Sequence, residues 1–377
     1  MNVLTHIVRT LMVALYAPMK WFCKTDPCKV VVLSRQSNDP SIDLQLTRGQ
    51  IRNTYPRAKT VVITRRMGKS VRSKISFMRA QFISLYHLAT SRVAILESYW
   101  PAVSAVNHKE DLTVIQLWHS LGKIKKSGLQ TVGKAQGWSP KVAGELRMHS
   151  GYDYVVAGAK AWNPAYCASF GIEENQILNI GLPRADHLLH DRESSRRTIL
   201  DSYPELDDGL PIVLYAPTFR RHHTTREGVD GVARSLDLDS CHLVVKGHAN
   251  QPLASSSSKI VDCREFSGME LLTIADLLIT DYSAIAIEGA LLNIKTLYYL
   301  YDYAQYTQQN GLNLDLPSEF PELVARTQNE LQTMIHSPYP TSALERYRSK
   351  YIFEDPGHST ADLVAALEEK GRLCQSL

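Results

Sequence analysis

Eleven short apolar runs, most of them β-branched, recur along the chain with longer mixed segments between them. Six come first: Val30–Leu33, Val61–Ile63, Val93–Leu96, Val114–Leu117, Tyr154–Val156 and Ile177–Ile180. Five follow: Ile212–Tyr215, Leu243–Val245, Lys259–Val261, Leu277–Ile279 and Thr296–Tyr299. A strand that is apolar without alternation is buried on both faces, which implies parallel sheets covered by helices. Asp191 to Asp208 is polar and irregular and separates the two series. At 377 residues the chain is too long for one ordinary domain. These features predict two doubly wound α/β domains, 23–190 and 191–377, with a cleft between the carboxyl ends of their strands. Ligands bind at such places.

Ahead of the first strand, Val3, Leu4, Ile7, Val8, Leu11, Met12 and Leu15 form one stripe of an amphipathic helix over residues 1–22. Thr5, His6, Arg9 and Thr10 fall opposite. Lys20, Trp21 and Phe22 follow Pro18. Such a helix suits a membrane interface, or it packs on the domain behind it. A secretory signal fits poorly, because Arg9 interrupts the apolar stretch and no small-residue cleavage site follows. No run approaches the roughly 20 apolar residues of a membrane span. Residues 1–90 hold fifteen Lys or Arg against Asp26, Asp39 and Asp43, a local charge of +12 in a chain whose total is +4. An anionic surface is the expected partner, either a membrane leaflet or nucleic acid. Nucleic acid is disfavoured because the basic residues are not interleaved with aromatics. The six cysteines are scattered and form no CxxC, so neither a disulfide scaffold nor a zinc ribbon is expected, and a reducing setting is the default.

Polar residues just after strands are the candidates for chemistry. His119 ends a strand and leads through Gly122 into Lys123, Lys125 and Lys126. A histidine there suits general-base work, and the lysines suit phosphate. Arg220 and Arg221 follow the strand Ile212–Tyr215 and could grip phosphate. His222 and His223 lack a further ligand cluster, so no metal site is assigned. Lys246 and His248 follow the strand Leu243–Val245. Asp281 and Ser283 precede an apolar helix, where free N–H groups favour an anion, and Glu288 lies within it, placed to accept from a ribose. Each of these also has a purely structural reading as a cap or packing residue. Asp237 and Asp239 precede a strand and read as a surface loop. No GxGxxG or GxxxxGK[ST] is present.

In this order and spacing the segments resemble the CDP-glycerol glycerophosphotransferase family of teichoic acid synthesis. The matching stretches are WHSLGKIKKSGL at 118–129, YDYVVAG at 152–158, FGIEENQILNIGLPRAD at 170–186, VLYAPTFR at 213–220, VVKGHAN at 244–250 and the run from Leu271 to Tyr306. Length and the apolar N-terminus look most like the short glycerol-phosphate primases. The resemblance implies a GT-B-like fold and transfer of glycerol phosphate from CDP-glycerol to a lipid-linked saccharide at the cytoplasmic face of the membrane. It implies His119 as general base and His248 as the second histidine, at the diphosphate or leaving group. Arg220, Asp281 and Ser283 would hold the nucleotide diphosphate, with Lys246, Lys123 and Glu288 also at the substrate. No cofactor is implied with certainty, and Mg2+ remains an open requirement. This chain departs from the pattern at Ser120-Leu121-Gly122, where the polymerases have Gly-Thr-Pro, at Ala249 and at Ala284. CDP-ribitol transfer, capsule assembly and nucleotide-sugar epimerisation are the alternatives within reach of the same architecture.

Overall fold

The computed structural model describes residues 3–134, 137–218, 226–246 and 260–375. The chain divides into two compact units that are not sequential. The first takes residues 1–120, 126–184 and 358–377; the second takes 121–125 and 185–357.

The first unit holds β1 (Asp26–Ser34), β2 (Lys59–Thr64), β3 (Ser91–Leu96), β4 (Thr113–Gln116), β5 (Tyr154–Ala157) and β6 (Ile177–Asn179). They form one parallel sheet in the order β2-β1-β3-β4-β5-β6. Val30, Val31, Val32 and Leu33 are essentially inaccessible, as are Val93 to Leu96. Continuous burial is why these strands read as unbroken apolar runs. Order reverses between β1 and β3, so the loops leaving those two strands flank the switch point of the sheet, where doubly wound folds bind ligands.

Three helices matter most here: α1 (Val3–Phe22), α2 (Ile42–Thr54) and α3 (Val71–Thr90). Ser41 and Ser70 cap α2 and α3 by accepting from Leu44 and Ser73 N–H. On α1 most of the apolar stripe faces outward: Leu4, Ile7, Leu11 and Leu15 are exposed. Met12 and Tyr16 are the buried residues. His6 and Arg9 on that same side reach Glu145, Tyr16 reaches His108, and Lys20 reaches the His108 carbonyl. Polar anchoring around two buried side chains sets the rotation of α1 and leaves its apolar stripe outward. Val71, Ile75 and Tyr86 of α3 are exposed too. Among the described residues no helix is long and apolar enough to cross a membrane.

The C-terminal helix Ser359–Glu369, on the 191–377 side of the sequence division, packs against α2 in the first unit. Tyr55 donates to Glu368 (2.6 Å) and Arg92 to the Gly371 carbonyl (3.1 Å). Cys28 and Cys374 are joined as a disulfide, with Cα atoms 4.4 Å apart. A single bridge departs from the reducing default read from the sequence: the partners are 346 residues apart, and only the fold brings them together.

The second unit holds β7 (Ile212–Ala216), β8 (His242–Val245), β9 (Ile260–Val261), β10 (Leu277–Thr280), β11 (Lys295–Tyr299) and β12 (Val324–Ala325). Its parallel order is β12-β11-β10-β7-β8-β9. That is the doubly wound pattern with its switch point between β7 and β10. Tyr215, Val232, Leu243, Val245, Ile279 and Leu297 form the core on one side.

Candidate functional site

In the first unit the loops leaving β1, β3 and β4 converge. Leu117 N–H donates to the Leu96 carbonyl (2.6 Å) and Glu97 N–H to the Leu33 carbonyl (3.1 Å), so all three strands end in step. Trp118 then turns the chain with φ of 63°, a left-handed conformation that costs a bulky residue energy and is held by Gln116 Oε1 accepting from its N–H at 2.9 Å. Its indole lies over the His119 ring, with centroids 4.0 Å apart, and against Phe170 at 5.1 Å. His119 Nδ1 is 2.7 Å from the Gln36 side-chain amide and 3.4 Å from the Glu97 carbonyl oxygen. A strained backbone and the indole of Trp118, itself backed by Phe170, thus fix one imidazole at the carboxyl edge of the sheet.

Glu97 is buried, and burial raises its carboxyl pKa, with Asp43 adding repulsion. Hydrogen bonds from Ser34 and Ser41 oppose that rise. Asp43 itself is inaccessible and accepts from Arg184 N–H (2.7 Å), Nε (2.8 Å) and Nη2 (2.5 Å). The Asp43 charge is offset by Arg184, whose Nε and Nη2 both donate to Oδ2 while its backbone N–H takes Oδ1.

Arg35 is next to Gln36. Its N–H donates to Ser98 Oγ (3.0 Å), and its guanidinium stands 5.8 Å from the centroids of both Tyr99 and Trp138. Neither Arg35, Gln36 nor Glu97 was singled out from sequence. The signal was available: each lies just after an apolar strand, as His119 does.

In the second unit the corresponding loops leave β7, β8 and β10. Asp281 is inaccessible. Its carboxylate accepts from Thr218 N–H at 2.9 and 3.0 Å and from Tyr282 N–H at 2.6 Å, which ties the β7 and β10 loops together at the switch point. Ser283 Oγ accepts weakly from Ile285 N–H at 3.5 Å. The helix Ile285–Leu291 spans seven residues, and its N-cap is Ala284, with no side-chain cap. The capping expected of Asp281 and Ser283 is therefore replaced by loop bracing. Glu288 is 4% exposed within that helix. Tyr282 stacks on Tyr306 (centroids 3.8 Å apart) and donates to Asp302 at 3.0 Å.

Lys246 Nζ donates to the carbonyls of Arg264 (3.0 Å) and Phe266 (2.5 Å), and burial lowers its pKa. It holds the 264–266 turn against the end of β8. Lys123 belongs to the short segment that enters the second unit. It is buried, and burial drives its pKa well below that of a free lysine. Asn313 clasps that segment, donating to the Lys123 and Lys125 carbonyls at 3.0 and 3.1 Å. Arg220, Arg221, His222, His223 and His248 lie outside the described residues, as does the Ser255–Ser258 loop. Among the described residues no group of three His, Cys, Asp or Glu is placed to hold a metal ion. The structure brings His119 together with Gln36 and Glu97, and Asp281 together with Thr218.

Residues 15–369 match the family model for CDP-Glycerol:Poly(glycerophosphate) glycerophosphotransferase. The teichoic acid ribitol-phosphate primase of Bacillus spizizenii is 29% identical over 98% of both chains. The teichoic acid glycerol-phosphate primase of Bacillus subtilis is 28% identical over 76% of this chain and 75% of the relative. Among solved structures, the wall teichoic acid polymerase TagF superposes with a TM-score of 0.74 at 18% identity, covering 98% of this chain and 94% of that one. UDP-GlcNAc 2-epimerase from Neisseria meningitidis gives 0.56 at 14% identity, covering 90% of this chain and all of the other. The architecture is GT-B-like.

Proposed function

Because the chain belongs to the CDP-Glycerol:Poly(glycerophosphate) glycerophosphotransferase family, we propose that it transfers glycerol phosphate from CDP-glycerol to a hydroxyl of an undecaprenyl-diphosphate-linked saccharide, releasing CMP. At the coarser level the chain is a transferase of the CDP-glycerol type in teichoic acid synthesis. The observation that carries the finer reading is His119, fixed at the carboxyl end of β4 by Trp118 and Gln36. A hydroxyl nucleophile needs a base held in one pose, and phosphoryl transfer needs positioning and charge neutralisation more than covalent help.

In this reading the acceptor hydroxyl attacks the β-phosphorus of CDP-glycerol. His119 takes its proton, and the bond from that phosphorus to the CMP oxygen breaks. His248 and Arg220 stabilise the charge that grows on CMP. Asp281 and Ser283 shape the β7 and β10 loops around the nucleotide. The full-length likeness to a primase favours a single addition. The outward apolar stripe of α1 and the basic N-terminal region hold the enzyme peripherally on the cytoplasmic leaflet, where a lipid-linked acceptor resides. A second reading, CDP-ribitol as donor, is favoured by the same full-length likeness, since that relative is a ribitol-phosphate primase.

The test is mass spectrometry of a lipid-linked disaccharide incubated with the protein and each CDP-alditol in turn. One added glycerol phosphate with CMP release is expected. A ladder of additions refutes the primase reading, and a ribitol phosphate adduct alone moves the donor to CDP-ribitol.

A further inference from the structure

The switch point of the first sheet has one cation standing in it. The loops that flank it begin with Arg35-Gln36 after β1 and Glu97-Ser98-Tyr99 after β3. Arg35 is the only Lys or Arg in either loop. Its backbone is pinned to Ser98 Oγ, which fixes where the side chain starts. The guanidinium then lies in a corner made by Tyr99 and Trp138, whose rings meet nearly at right angles (83°, centroids 5.8 Å apart). Tyr99 is itself buried and anchored by its hydroxyl to the Leu146 carbonyl. The corner is therefore a built support.

A half-buried guanidinium ordinarily faces a carboxylate. None pairs with Arg35 among the described residues. The nearby acids are engaged elsewhere: Glu97 takes the Ser34 hydroxyl, and Asp43 takes Arg184. Burial lowers the Arg35 pKa, the signature of a cation that has lost water without gaining a counter-ion. Neighbouring aromatic rings take up none of the guanidinium's N–H donors as a carboxylate would, and its planar fork can receive two phosphate oxygens at once.

We propose that Arg35 binds a phosphate or diphosphate group of the acceptor substrate. Its chain neighbour Gln36 contacts His119, so the same β1 loop carries both the cation and a contact to the base that meets the acceptor hydroxyl. The assignment to the acceptor, as opposed to the donor, rests on the reading of His119 given above. The presence of an anion site does not.

Two arms test this. In the first, acceptors bearing a diphosphate or a neutral linker are compared with wild type, Arg35→Met and Arg35→Lys, all shown folded by thermal unfolding. Arg35→Met is expected to raise KM about tenfold or more for the diphosphate acceptor only, with part of the loss restored by Arg35→Lys. KM for the CDP-alditol stays unchanged. An equal loss on both acceptors, or a rise confined to the donor, overturns the proposal. In the second arm, calorimetry reads inorganic pyrophosphate binding with CMP saturating and no turnover. Weaker binding to Arg35→Met by about tenfold supports the site. Equal affinity overturns it, whether or not the protein transfers anything. If no transfer occurs with any donor, the functional reading fails while the calorimetry still decides Arg35.

Discussion

The side-chain amide of Gln36 lies 2.7 Å from His119 Nδ1, and the Glu97 carbonyl oxygen faces the same nitrogen at 3.4 Å. The Gln36 atom placed there is Nε2, a donor, while the Glu97 carbonyl only accepts; turning the Gln36 amide over to present its oxygen lets a proton on Nδ1 serve both neighbours. The lone pair of the neutral ring is then on Nε2, as a general base requires. Gln36→Leu is expected to lower kcat by about 10–100-fold with little change in donor KM. Gln36→Glu places a carboxylate on Nδ1–H and should move the acidic limb of the pH–rate profile upward. Nitrogen NMR of labelled histidine, with His119→Asn for assignment, reads the tautomer directly. A proton found on Nε2 in the wild type contradicts the arrangement.

The same loop shows what a sequence reader could and could not see. Continuous apolar runs mark eleven strands because burial on both faces leaves no alternation to confuse them with helices. Val324–Ala325 is only two residues long and carries no such mark. His119, Lys246 and Asp281 were legible as polar residues at strand ends. Arg35, Gln36 and Glu97 obey the same rule and were passed over, because no glycine or basic cluster surrounds them. The Asp43–Arg184 pair, 141 residues apart, and the Cys28–Cys374 bond are tertiary facts with no local trace. The rotation of α1 is not legible for a related reason: periodicity finds an apolar face but does not say whether that face turns inward.

Tyr16 and His108 hold α1 in place. His108 Nε2–H donates to the Val103 carbonyl (2.8 Å), and Nδ1 accepts from the Tyr16 hydroxyl (3.0 Å), so the neutral ring is fully satisfied. Burial, with smaller pushes from Lys20 and Arg147, lowers its pKa to about 4. A depressed folded-state pKa gives stability that is present above the unfolded value of about 6.5 and lost as pH falls toward 4. The loss over that window is roughly 3 kcal/mol at most. Thermal unfolding from pH 7.5 to pH 4 should show it, and His108→Gln should flatten the dependence. An unchanged slope in the variant removes this histidine from the account.

Ile7, Leu11 and Leu15 are 47, 49 and 46% exposed, whereas Met12 is buried. Charging the outer face and shrinking the inner one should therefore separate two roles. Leu11→Asp with Leu15→Asp is expected to leave the melting temperature within about 2 °C, since exposed positions contribute little. Sedimentation with anionic liposomes should drop several-fold. Met12→Ala should do the reverse, costing about 2–3 kcal/mol while sparing liposome binding. Equal sedimentation by the double variant and the wild type would take the membrane role away from α1.

Asp281 is the site residue whose structural duty is clearest. Its carboxylate receives the Thr218 and Tyr282 N–H groups in a place with no access to water. Asp281→Ala leaves both donors without an acceptor and should cost about 3–5 kcal/mol. Asp281→Asn keeps one acceptor oxygen and should cost less, about 1–3 kcal/mol. Lost activity in the alanine variant would then report a displaced β7–β10 junction, with donor binding impaired through the loops. The decisive comparison is calorimetric: unfolding of each variant alongside its affinity for CMP. A fully stable Asp281→Ala that no longer binds CMP would assign the carboxylate to the nucleotide instead of to the loops.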